Sequence, residues 1–246
     1  MNTQELTRRT GAALLLVALV IFAGASLWAL AAPGVQYAWP LTMISDLGAR
    51  GCFTADGRWI CSPRAAAFNA GLLGSGLSLV GAATALRAAR HPAPRGAVLS
   101  AGLGLVLLGL SPSDTAHGLH MAGAVLALPV ASALLVVSAV CEVRRADLPR
   151  TGSRSPGAVA APAVRGALGT VALVCTSAHL LPQARFHGAA EMVSLVALFL
   201  ALLLEACTLL RAAPAPRRCD GSAAEMTQAR PHRRPAAPRT GAADHR

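Results

Sequence analysis

The chain has 246 residues, of which 54% are apolar before its 23 glycines are counted and only 13% are charged. A soluble domain carries roughly twice that charged share and roughly 45–50% apolar residues with glycine included. The composition therefore excludes a soluble enzyme, a disordered chain and a collagen-like fibre, and points to an all-α polytopic membrane protein.

A hydrocarbon core needs about 20 mostly apolar residues per helix, and six runs approach that length: 11–32, 65–86, 96–110, 118–141, 162–181 and 188–210. The first follows Arg8 and Arg9 in the manner of a secretory leader, but its apolar core is longer than that of a cleaved signal, so it reads as the first membrane helix. The second carries Ala70, Gly74 and Ser78 at four-residue spacing, a stripe that lets another helix approach closely. The third is short for a span and suggests a helix buried among its neighbours or one that thins the bilayer. The fourth contains Pro129, which should kink it and free a backbone carbonyl, shaping a cavity. The two halves share no motif, which weakens an inverted-repeat transporter reading.

The net charge is +11, and every one of the 22 basic residues is Arg. With the N-terminus in the cytoplasm, a six-span model puts 18 of them inside and leaves Arg50, Arg58, Arg64 and Arg185 outside. Such a split predicts an N-in, C-in topology and makes the charge a topological signal rather than a sign of nucleic-acid binding. Residues 1–211 thus read as a six-helix transmembrane domain. Residues 212–246, rich in Arg, Pro and Ala, read as a disordered cytoplasmic tail that could rest on anionic lipid headgroups. The expected location is the plasma membrane, as a multi-pass protein.

The first outer loop, 33–64, is too long to be a mere connector. It holds Ile44-Ser45-Asp46-Leu47-Gly48 and Cys61-Ser62-Pro63, with Phe68-Asn69 shortly after; Gly109-Leu110-Ser111-Pro112 and then His120 follow further on. In these segments the chain resembles an uncharacterised family of bacterial and archaeal integral membrane proteins, domain of unknown function 998. The resemblance covers roughly residues 11–210 and implies a six-helix fold with no established function. Around the sixth helix the chain departs from the family's acidic-basic pair and aromatic-Pro segment, and only Glu191 matches.

Cys52 and Cys61, nine residues apart in a loop expected to face an oxidising compartment, are placed to form a local disulfide, with two free thiols or a metal pair as alternatives. Cys141, Cys175, Cys207 and Cys219 read as ordinary reduced thiols. Acidic and His residues gather at the outer helix ends: Asp46, Asp114, His117, His120, His179, His187 and Glu191. Asp114, His117 and His120 are spaced by three, so on a continuous helix they share a face and could bind a divalent metal such as Zn, completed by His187 or Glu191. The alternative is that Asp114 caps the fourth helix and the His residues are solvated. Glu205, near the inner end, could reach Arg211 or the interface. Walker-type, nucleophile-elbow and His-Glu-x-x-His motifs are absent from the sequence.

Three functions are compatible with this pattern. The first is an outward-facing polar pocket, with Asp46, Asp114, His120 and Glu191 as its working residues, that binds a lipid or other hydrophobic small molecule. The second is a metal-dependent or acid-base enzyme acting on a lipid-like substrate. The third is an accessory subunit of a transport or resistance system that packs on a membrane-protein partner.

Overall fold

In a bilayer, backbone N–H and C=O groups find no water and must pair within their own segment, so long apolar runs fold as helices. The computed structural model describes residues 2–55, 57–88, 94–147, 157–179 and 186–211, with the side chains of 146, 147, 157–159 and 179 excepted. The expected tail, residues 148–156 between the fourth and fifth runs with Arg150 and Arg154, Arg185, Cys219 and the His179 side chain lie outside the described residues. The helices are α1 (Thr3–Leu30), α2 (Ala65–Ala88), α3 (Arg95–Leu110), α4 (His117–Val125), α5 (Ala131–Asp147), α6 (Gly157–His179) and α7 (His187–Arg211).

Among the described residues, five helical stretches are long and apolar enough to cross a membrane: Thr3–Leu30, Ala65–Ala88, His117–Arg145, Ala160–Ala178 and His187–Arg211. The third of these joins α4 and α5 through a π-helical turn, Leu126–Val130, that contains Pro129. A proline ring cannot donate to the helical ladder, and the wider turn accommodates it. The Leu126 carbonyl in that turn accepts a 2.7 Å hydrogen bond from the Ser100 hydroxyl of α3. The third predicted run becomes α3, whose 16 residues cover only about 24 Å against a hydrocarbon core of roughly 30 Å.

Successive helices pack antiparallel. Gly11 of α1 lies against Leu86 of α2, and Gly71 of α2 against Ala25 of α1. Thr176 of α6 donates to Ser194 of α7 at 2.9 Å near one end, and Arg165 of α6 pairs with Glu205 of α7 near the other. Arg8, Arg87, Arg95, Arg144, Arg145 and Arg211 thereby gather at one end, and the 33–64 loop occupies the opposite one.

The outer faces of the helices remain apolar. Val20, Leu27, Leu77, Val137 and Val174 are all more than half exposed, a surface that suits lipid and not water. The chain's three Trp, at positions 28, 39 and 59, are exposed and sit at the loop end, where indole favours the membrane interface.

The short α3 is held by backbone-to-backbone contact. A Cβ on Gly104 would stand 2.4 Å from the Ala127 amide nitrogen, and one on Gly76 of α2 would stand 2.7 Å from the Gly102 carbonyl oxygen. Close packing by small residues is how helices associate where the hydrophobic effect gives no drive. Of the expected stripe, Gly74 faces Ile21 of α1, but the closest approach lies one position along. Ala70 is exposed and Gly74 and Ser78 are half-buried, whereas Gly71 and Ser75 face α1, with the Ser75 hydroxyl donating to the Ala18 carbonyl at 2.9 Å.

The 33–64 loop departs from helix. It contains a 3-10 helix, Ile44–Gly48, and an antiparallel hairpin of β1 (Phe53–Ala55) and β2 (Arg58–Ile60). Gly57 at the hairpin turn has φ of 72°, a backbone conformation glycine adopts without steric cost. Where the loop meets α2, the Arg64 guanidinium lies 3.9 Å from the Trp28 ring centroid and donates to the Trp28 carbonyl at 2.7 Å, closing the C-terminal end of α1.

Candidate functional site

The residues of the Ile-Ser-Asp-Leu-Gly segment find partners both within the loop and on the helices beneath it. The Ile44 amide donates to Glu191 Oε2 of α7 at 2.6 Å. Asp46 Oδ2 accepts from the Met43 amide at 3.0 Å, which closes the first turn of the 3-10 helix, and from Arg58 of β2 at 2.7 Å. The Leu47 carbonyl accepts from the Ser62 hydroxyl at 2.7 Å, and the Gly48 carbonyl from Asn69 Nδ2 of α2 at 2.9 Å. Gly48 has no room for a side chain, since a Cβ would lie 2.5 Å from Asn69 Oδ1. The motif segments that looked independent in sequence are thus parts of one docking surface.

Cys52 and Cys61 are joined by a disulfide that brackets the hairpin. Closing so short a loop restrains its open states by about 2–3 kcal/mol. The double variant Cys52→Ser/Cys61→Ser should therefore leave the helical bundle intact but speed amide exchange in β1 and β2 by about two orders of magnitude, which hydrogen-exchange mass spectrometry can read. Unchanged exchange would show that the hairpin holds itself.

Beneath the loop lies a cavity of about 170 Å³, lined mainly by apolar side chains of the bundle, among them Phe22, Phe68, Leu72, Leu128 and Leu195, with Pro129 at the π-helical turn. Its polar lining comes from Ser45, Asp46, Ser113, His117, His120, Thr176 and Glu191. Three of the four expected working residues, Asp46, His120 and Glu191, are therefore brought together. The fourth, Asp114, is not among the lining residues. Its Oδ2 accepts from the amides of Arg50 and Gly51, each at 2.9 Å, and so it fastens the far end of the loop.

That placement corrects the reading of Asp114, His117 and His120 as one helical face. The helix begins at His117, after a turn in which the Thr115 and Ala116 amides donate to the Pro112 carbonyl. Asp114 belongs to the turn and does not cap α4, whose N-cap Ala116 has no side-chain bond. Among the described residues no group of three or more His, Cys, Asp or Glu is placed to hold a metal ion. His187, considered as a completing ligand, is half-buried at the start of α7 and is not among the cavity's lining residues.

His120 is buried, with Nδ1 2.9 Å from the Ser111 carbonyl oxygen. A carbonyl only accepts, so Nδ1 carries the proton and Nε2 of the neutral ring is an acceptor. Burial pushes the Asp46 carboxyl above the usual carboxylate range, although Arg58 and the Met43 amide pull the other way. Tyr37 is a neighbour the sequence did not single out. Burial first, then the charges of Glu191 and Asp46, push its phenol up to about 12.

The hairpin, which supplies Arg58 to Asp46, was also not anticipated. Its signal was nonetheless present, as Asp56-Gly57 between two short runs of strand-forming residues. Compared with protein-family models, curated proteins and solved structures, the chain finds no match.

Proposed function

We propose that the chain is a multi-pass plasma-membrane protein, N-in and C-in, whose outward-facing cavity binds a lipid or other hydrophobic small molecule. The observation that carries this reading is the cavity itself: an apolar chamber with Asp46, His120 and Glu191 in its lining, beneath a loop tied down by Glu191, Asn69, Ser62 and a disulfide. Apolar pockets with a few convergent polar groups are the usual form of small-molecule sites. An apolar cavity of about 150 Å³ takes up a benzene ring, so the enclosed part of the ligand is a ring or short alkyl segment, with its polar group at the carboxylates and the imidazole. The resemblance to domain of unknown function 998 fits the same reading, since its segments are those that seat the loop.

Lipid extraction and mass spectrometry of the purified full chain test this reading. A hydrophobic molecule should accompany the wild type near one equivalent. It should fall about tenfold in His120→Ala, the equivalent of a lost hydrogen bond to a charged or strongly polar group, and disappear in Ala124→Trp, which fills the chamber. Equal recovery from all three proteins would defeat the proposal.

A second reading is acid-base chemistry on a bound lipid-like molecule. It is favoured by the fixed tautomer of His120, which leaves Nε2 as a proton acceptor on a side chain that also lines the cavity. Product formation from lipid esters that is lost in His120→Ala, with the ligand retained, would support it.

A further inference from the structure

At the end of the bundle opposite the loop, three ionisable side chains meet in the interior. Arg165 of α6 pairs through NH1 with Glu205 of α7, and through NH2 with Glu142 of α5 at 2.6 Å. The side chains of Arg165 and Glu205 are 4% and 1% exposed, and that of Glu142 is 22% exposed. Glu205 Oε1 and Arg165 Nε are buried with no hydrogen-bond partner among the described residues. One guanidinium thus faces two carboxylates, and one carboxylate oxygen has no donor among the described residues.

We propose that Glu142, Arg165 and Glu205 form a binding site for a single monovalent cation, a proton or Na⁺. Among the described residues, two carboxylates and one guanidinium leave one negative charge in excess, and an uncompensated charge within a membrane domain is expensive.

Among the described residues, the surrounding helices show no further cation on the triad. On α1, Glu5 and Arg9 pair with each other at 2.6 Å, and Arg8 has an interaction of its own. Arg144 and Arg145 of α5 and Arg211 of α7 are exposed at the protein surface. The π-helical turn packed on α7 carries no charge, and the charges that act on Glu205 come from Arg165 and Glu142. Glu142, partly exposed, gives the cation a way in from the surface, and Glu205 Oε1 is the acceptor at its inner end.

The test uses the full chain in lipid nanodiscs and follows the apparent melting temperature from about pH 6 to about pH 9, in Na⁺ and in choline. A ligand held by the folded protein and not by the unfolded chain stabilises it by mass action. A proton bound in the folded state contributes stability at low pH that is lost as pH rises through the site's folded pKa. Other groups titrate as well, so the decisive quantity is the difference from Glu205→Gln, which keeps the shape and removes the excess charge. For a proton, the wild type should lose roughly 3 °C more per pH unit than Glu205→Gln where the site empties, irrespective of salt. For Na⁺, the wild type at high pH should be stabilised by Na⁺ over choline, and the variant should not. Glu142→Gln removes the same excess at a more exposed position and should flatten the profile likewise, so the test stands if Glu205→Gln does not fold. Profiles parallel to wild type, without a Na⁺ effect, in whichever variant folds would overturn the proposal.

Discussion

Arg165→Met should nearly abolish recovery of folded protein. Removing the guanidinium leaves Glu142 and Glu205 without their shared partner, and Glu205 has almost no access to solvent. Breaking a buried ion pair by deleting one partner costs about 3–5 kcal/mol, a large part of the roughly 5–15 kcal/mol that holds a domain folded. The measurement is the monodisperse fraction after detergent extraction, by size-exclusion chromatography.

A companion variant separates charge from packing, because an arginine stem also fills space. Arg165→Met combined with Glu142→Gln and Glu205→Gln removes every charge of the triad while keeping its volume. Replacing a whole buried ion cluster by neutral groups is often close to neutral in stability, so the triple variant should regain most of the lost yield. Recovery there, with failure of the single variant, would place the cost in the unbalanced carboxylates. If Arg165→Met alone matches the wild type, the triad contributes little to folding.

The contrast between this triad and the cavity shows what a sequence discloses. The helices were legible because apolar length is a local property, and an irregularity at Pro129, found as a π-helical turn, was legible because the proline acts within its own helix. Asp46, His120 and Glu191 were legible as a group because polar side chains at one set of helix ends have few places to go. Arg165 and Glu205 are 40 residues apart, and only the antiparallel register of α6 and α7 brings them together. Without that register, Arg211 looked the natural partner of Glu205, yet it is exposed on the surface. Asp114 was misassigned for a related reason. A spacing of three has meaning only inside a helix, and its amide partners in Arg50 and Gly51 lie more than sixty residues away.

Gly188→Ala should release the loop from α7. At this position a Cβ would lie 2.2 Å from the Thr42 carbonyl oxygen and 2.8 Å from that of Pro40, both backbone atoms that no rotamer change can move aside. The same junction holds two hydrogen bonds, from the Ala189 amide to the Pro40 carbonyl at 2.9 Å and from the Ile44 amide to Glu191 at 2.6 Å. Overpacking of this kind costs about 1–3 kcal/mol, and a buried amide left without its acceptor adds about as much. Exchange of the Ile44 and Ala189 amides should therefore accelerate by about two orders of magnitude or more. Gly51→Ala is the control within the same loop, because its Cβ would meet only Asp114 at an ordinary 3.6 Å. If the loop roofs a ligand chamber, the hydrophobic molecule that accompanies the wild type should be lost from Gly188→Ala and retained by Gly51→Ala. Loss of amide protection without loss of the ligand would mean that the bundle alone holds it, and would move the binding determinants from the loop to the helices around His120.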